Sequence, residues 1–168
     1  MSNKTVITKL LFNILYIAYL KKVINMKIVF ICTGNTCRSP MAEGIFKALC
    51  QKNSVEADIT SCGLFANDGD AVTQAAADVC KEINVDISQH KSRSIRHIDF
   101  SEVDYIVPMT SSHAAVLQAA GLGDKIFRFD EEIPDPYMQG TEVYRRCRDS
   151  LIKNLNALLD KIKADNTK

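Results

Sequence analysis

The sequence predicts an α/β fold in which a parallel sheet carries helices on both faces. Two observations support this. From Met26 onward short apolar runs alternate with segments of helical periodicity, the pattern of repeated strand–helix units. The first run, Lys27-Ile28-Val29-Phe30-Ile31-Cys32, is short and β-branched, as a buried strand is. A helix is expected over Met41–Leu49, where Met41, Ile45, Phe46 and Leu49 share one face and Pro40 sits in the favourable first turn. Ala57–Thr60 is a weaker strand closed by Gly63, and the Ala-rich segment Val72–Ile83 is helical. Asp104–Val107 is the next strand. Ser111–Ala120 is a helix capped by Thr110 or Ser111 and ended by Gly121. Lys125–Phe129 is a final strand. The last helix runs from about Glu142 to Ile162, with Val143, Cys147, Leu151, Leu155, Leu158 and Ile162 on one stripe. No internal repeat, low-complexity tract or linker interrupts residues 26–163.

Composition bounds the partners. The chain has 168 residues, 46% hydrophobic and 24% charged, enough for one domain with an ordinary core. Its 21 basic and 20 acidic residues give a net charge of +1. No single-sign field is present to make nucleic acid or an anionic membrane the main partner. The six cysteines are not read as a disulfide scaffold, because a chain of this length stabilises itself and no cleavable secretory signal is evident. A reducing cytoplasm is expected. Cys32 and Cys37 are five apart and no histidine pair lies at ligand spacing, so neither a metal site nor a cofactor is expected.

Residues 1–25 read as a separate extension ahead of a domain over 26–168. Leu10–Leu20 is an eleven-residue, largely apolar stretch flanked by Lys4, Lys9, Lys21 and Lys22. It is shorter than the roughly 20 residues that span a bilayer and lacks a small-x-small cleavage site. Three readings stand: an interfacial membrane anchor, an extra helix on the core, or a dispensable extension. Membrane contact follows only from the first.

In parallel α/β sheets ligands bind at the carboxyl ends of the strands. That directs attention to the loop Cys32-Thr33-Gly34-Asn35-Thr36-Cys37-Arg38-Ser39-Pro40. Cys-x5-Arg alone is weak, but here it lies between a strand and a helix start. Gly34 and Asn35 tolerate positive φ, which lets successive N–H groups point inward around an anion. The helix N-terminus adds its positive end, and Arg38 supplies a fork for two phosphate oxygens. Such surroundings favour the thiolate of a cysteine, so Cys32 is a candidate nucleophile and Ser39 a candidate donor to its sulfur. The departing group needs a proton. Asp135-Pro136-Tyr137, between the last strand and last helix, leaves the same sheet edge and offers Asp135 as acid, then as base toward water.

These features resemble the low-molecular-weight protein-tyrosine phosphatase family across essentially all of 26–163: the Cys32–Pro40 loop, a Ser-Cys-Gly turn at 61–63 where the family often has Ser-Ala-Gly, and Asp135-Pro136-Tyr137. The resemblance implies a flavodoxin-like, three-layer fold whose four parallel strands run in order 2-1-3-4. It implies metal-free, two-step hydrolysis of phosphorylated protein substrates, with Cys32 as nucleophile, Arg38 as phosphate clamp and Asp135 as acid then base. Thr33 to Arg38 would cradle the phosphate, supported by Ser39 and Tyr137. Tyrosine-specific members usually carry isoleucine where this chain has Thr36. Its Cys-Thr-Gly-Asn-Thr-Cys-Arg loop is similar to the bacterial protein-arginine phosphatase branch. A threonine hydroxyl there can bond the attacking water or a guanidinium; alternatively Thr36 only packs. Tyr137 points the other way, toward tyrosine phosphatases. The resemblance also implies a protective Cys32–Cys37 disulfide; the alternative is that Cys37 is a small residue packed under the loop.

Arsenate reductase shares this fold and loop but needs two more cysteines seven apart after the third strand. Thr110 and Leu117 stand in their places, so that reading is rejected. A binding module has no use for the Cys32, Arg38 and Asp135 set. Cys50, Cys80 and Cys147 are expected in the core and His113 in a structural or surface role. The basic stretch Lys91–Arg96 reads as a solvated face rather than a docking strip.

Overall fold

Alternation along the first strand divides the molecule into two layers around its sheet. The computed structural model describes residues 26–165, and β1 (Met26–Cys32) lies between β2 (Ala57–Gly63) and β3 (Tyr105–Pro108), all parallel. Ile28, Phe30 and Cys32 face one core, while Val29 and Ile31 face the other, as a period of two demands. The first core lies under α1 (Arg38–Lys52), α2 (Gln74–Lys81) and α4 (Thr141–Asp165). Phe30 meets Phe46 of α1 edge to face, with ring centroids 5.6 Å apart. The second core is smaller, closed by Leu117 of α3 (Ser111–Ala119) and loop residues such as Val103. Among the described residues, helices therefore cover both faces, three on one and one on the other.

The elements follow the sequence pattern with local differences. α1 begins at Arg38 and takes Ser39 and Pro40 into its first turn. Thr110 caps α3, its hydroxyl accepting from His113 N, and Gly121 beyond the helix end has φ +80°. In α4, Cys147, Leu151, Leu155, Leu158 and Ile162 are buried as expected, but Val143 is only half-buried and Tyr144 turns inward instead. Cys50, Cys80 and Cys147 are buried.

The four-stranded order 2-1-3-4 is not confirmed: among the described residues the sheet has three strands, β2-β1-β3. The segment 125–129 does run along the β3 edge, but it pairs there through one parallel bridge, Ile106 with Ile126, and one bond from Phe127 N to Ile106 O at 2.9 Å. The next backbone bond to the β3 edge comes only at Ile133 N to Met109 O, 3.0 Å. β3 ends at Pro108, which has no N–H with which to carry the pairing on. Edge-to-face packing of Tyr105 on Phe127 and Phe127 on Phe129 holds the segment in place. The apolar stretch 10–20 lies outside the described residues. Among those described, no helix is long and apolar enough to cross a membrane.

Candidate active site

The loop after β1 is shaped by one side chain. Asn35 is fully buried with φ +55°, a left-handed conformation that asparagine tolerates better than most residues. Its Nδ2 donates to Ser39 Oγ at 2.9 Å and to Ser61 Oγ at 2.8 Å. Its Oδ1 accepts from Arg93 N at 2.8 Å and from His90 Nε2 at 3.2 Å. The amide of Asn35 is left to donate to Cys32 Sγ at 3.3 Å. Ser39 Oγ, already accepting from Asn35, lies 3.0 Å from the same sulfur and 3.4 Å from Cys62 O, so its one proton can turn to Cys32 as the nearer acceptor. Ser61 passes its own proton to Glu43 Oε2 at 2.6 Å. Two donors thus converge on the sulfur, held by a buried network whose polar side chains all have partners. Of the two residues expected to use positive φ, only Asn35 does; Gly34 has negative φ. A Cβ on Gly34 would stand 3.7 Å from Thr36 Oγ1, an ordinary contact.

The glycine the loop does require is Gly63, at the end of β2. A Cβ there would lie 2.6 Å from Thr33 O and 2.9 Å from Asn35 N. The close approach is built by backbone bonds from Leu64 N to Cys32 O and from Phe65 N to Thr33 O, both 2.9 Å. Gly63→Ala is therefore expected to lower stability by about 2 kcal/mol through overpacking against backbone and to reduce turnover with it. Urea unfolding checks this; a change under about 0.5 kcal/mol would mean the loop yields freely.

Cys32 and Arg38 share a cleft of about 560 Å³ with Thr33, Gly34, Thr36 and Cys37, and Asp135 and Tyr137 bound it from the loop before α4. Arg38 is 5% exposed, and its Nη2 donates to Asp135 Oδ2 at 2.7 Å. Asp135 Oδ1 accepts from Tyr137 N at 3.1 Å, which fixes the carboxylate against its own turn. The anchor at Ile133 N to Met109 O brings this loop to the carboxyl end of β3. All the sequence-predicted site residues except Asn35 and Ser39 line the cleft, and those two lie beneath it, bonded to Cys32. The backbone amides of Gly34, Thr36 and Cys37 donate to no acceptor among the described residues. Cys37 and Cys32 are free thiols; Cys37 Sγ lies 3.4 Å from Tyr144 OH and 3.5 Å from Thr73 Oγ1. Among the described residues no group of three or more His, Cys, Asp or Glu side chains is placed to hold a metal ion.

Sequence reasoning missed the opposite wall, where Phe65, Asn67, Asp70 and Thr73 line the cleft. It also took Lys91–Arg96 as a solvated face. Lys91, Arg93 and Arg96 are exposed, but Ser92 is buried, Ser94 and Ile95 are half-buried, and Arg93 supplies backbone groups to both Asn35 and Gly63. No local pattern announces either feature, because each depends on contacts across dozens of residues.

Two histidines brace the loop from outside. His90 donates to Asn35, and His113 is bonded to Thr33 Oγ1 at 3.0 Å and to Thr110 Oγ1 at 2.8 Å. Burial holds both below the ordinary histidine value of 6.5. Their folded pKa values are lower than the unfolded ones, so folding favours the neutral rings. That stability is complete above about pH 6.5 and is lost as pH falls below it. Melting temperature is expected to drop between pH 7.5 and 5.5, with a shallower drop in His113→Gln; an equal or steeper drop in the variant would contradict this.

A parallel sheet with a cysteine–arginine loop at its carboxyl edge and a carboxylate facing it defines a cysteine-dependent phosphohydrolase. Residues 27–168 match the family model described as low molecular weight phosphotyrosine protein phosphatase, and the chain belongs to that family. It is 30% identical over 149 residues to a protein-arginine-phosphatase of Bacillus subtilis, covering 83% of this chain and 99% of that one. It is 34% identical over 145 residues to the low molecular weight protein-tyrosine-phosphatase PtpB of Staphylococcus epidermidis, covering 82% and 97%. Among solved structures, a mutant of YwlE arginine phosphatase with phosphorylated active site serine superimposes with a TM-score of 0.77 at 28% identity, covering 83% and 97%.

Proposed function

We propose that the protein hydrolyses phosphoarginine in proteins by way of a phosphocysteine on Cys32. The convergence of Asn35 N and Ser39 Oγ on the Cys32 sulfur, at the floor of a cleft that also holds Arg38 and Asp135, carries this reading. The free amides of the loop and the Arg38 guanidinium bind the phosphoryl oxygens, with Thr33 to Arg38 forming the cradle. The Cys32 thiolate attacks phosphorus, and the bond to the leaving nitrogen or oxygen breaks with its electron pair. Asp135, released from Arg38 as the phosphoryl group takes the guanidinium, takes up a proton from solvent and gives it to that atom. Water then attacks the phosphocysteine while the Asp135 carboxylate takes its proton. The P–S bond breaks, and Ser39 and Asn35 N receive the returning thiolate.

Thr36 supports the choice of phosphoarginine. It lines the cleft half-buried, fixed by its carbonyl to Thr73 N at 2.9 Å, and a hydroxyl at that wall suits a polar guanidinium. The second reading is a tyrosine phosphatase without arginine preference. It is favoured by Tyr137, a residue 59% exposed beside the cleft mouth that suits an aromatic substrate. The test compares kcat/KM for a phosphoarginine and a phosphotyrosine peptide. A tenfold or greater preference for phosphoarginine, about 1.4 kcal/mol, is expected, and Thr36→Ile should diminish it. Preference for phosphotyrosine would select the second reading.

A further inference from the structure

One carboxylate in the cleft is unused by the chemistry above. Of the charged side chains lining it, Arg38 and Asp135 are paired at 2.7 Å, whereas the Asp70 carboxylate has no hydrogen bond or ion pair among the described residues. Lys91 lies across the antiparallel bridge from Ala71 but forms no ion pair with Asp70, and Arg93 turns to Thr60 Oγ1 at 3.3 Å. The backbone around Asp70 is nevertheless pinned. Its carbonyl accepts from Ser92 N, Gly69 N donates to Ser92 O, and Thr73 N donates to Thr36 O, each at 2.9 Å. The backbone that carries this exposed carboxylate is thus fixed on the wall, three residues from the segment tied to the phosphate loop.

An uncompensated negative charge opposes a cleft that must admit a phosphoryl dianion. In the resting cleft Arg38 does not offset it, since Asp135 neutralises that cation until substrate arrives. The opposition becomes attraction when the substrate brings a positive group beside its phosphoryl group. At about 560 Å³ the cleft is within the size range that takes a whole small ligand rather than a bare anion.

We propose that Asp70 is a specificity-determining residue, pairing with a cation that the substrate carries next to its phosphoryl group. Two sources offer that cation: the guanidinium of phosphoarginine itself, or a basic side chain adjacent in the peptide. The inference rests on the cleft being the phosphoprotein site, and it holds for either phosphorylated residue.

The experiment measures kcat/KM of the full chain and of Asp70→Asn on three peptides: phosphoarginine, phosphotyrosine with a neighbouring lysine, and phosphotyrosine with uncharged neighbours only. The backbone bonds at residue 70 survive this substitution, and thermal melting alongside verifies the fold. Asp70→Asn is expected to lower kcat/KM for phosphoarginine by about fivefold. The uncharged phosphotyrosine peptide should be unchanged or improved, the loss should shrink in high salt, and Asp70→Glu should recover part of it. A loss confined to the lysine-flanked peptide would also support Asp70 and assign the cation to a neighbouring residue. The same proportional change on all three peptides, or none on any, would overturn the proposal. A wild-type preference for phosphotyrosine, with the Asp70 effect intact on the lysine-flanked peptide, would overturn the phosphoarginine reading alone.

Discussion

Replacing Cys32 with serine is expected to lower kcat by at least ~1000-fold on every phosphorylated substrate, because the nucleophile supplies both halves of the reaction. The change removes little else. The side chain is 3% exposed, and its neighbours Asn35 N and Ser39 Oγ are held independently by Asn35 Nδ2, Ser61 and Arg93. An oxygen there keeps both hydrogen bonds, so folding and phosphate binding should survive while turnover does not. Steady-state kinetics beside a melting curve checks this. Retained folding with more than a tenth of wild-type kcat would remove Cys32 from the chemistry.

Asp135→Ala carries the second large effect, and its signature is selective. A general acid contributes typically 10²–10⁴-fold, and its contribution grows as the leaving group becomes more basic. Tyrosine has an unperturbed pKa of about 10 and the arginine guanidinium of about 12.5–13.8. The loss should therefore be greatest for phosphoarginine, smaller for phosphotyrosine, and least for an aryl phosphate with an acidic phenol. Asp135 is also the partner of Arg38 at 2.7 Å, so a purely electrostatic role in the resting cleft would act on all substrates equally. Equal losses across the three leaving groups would assign Asp135 to that role instead of proton transfer.

Much of this arrangement is legible in the sequence because it is local. Lys27–Pro40 encodes a buried strand, a loop and a helix start within fourteen residues, and the structure places all three accordingly. The stripe on α4 is likewise set by one helix's own spacing, with Val143 as the exception where Tyr144 reaches Cys37. Features that depend on distant partners were not legible. Gly63 looks like any turn glycine until β2 and the loop are zipped together. Asn35 looks like a turn residue, although its buried amide is the hub of bonds to Ser39, Ser61, His90 and Arg93. The fourth strand failed for the converse reason. Its apolar pattern is sound, but the segment pairs with β3 only at Ile106, and Pro108 beyond it has no N–H to offer.

Covalent phosphoryl transfer to Cys32 is tested most directly by a rapid acid quench during turnover. Enzyme reacting with excess phosphoarginine peptide, stopped within the first turnover, is digested and mapped by mass spectrometry. The account predicts a single added phosphoryl group on the peptide carrying Cys32. In Cys37→Ser the same single site on Cys32 is expected and no other. Phosphoryl groups found on another side chain, or none at any time while product forms, would contradict it.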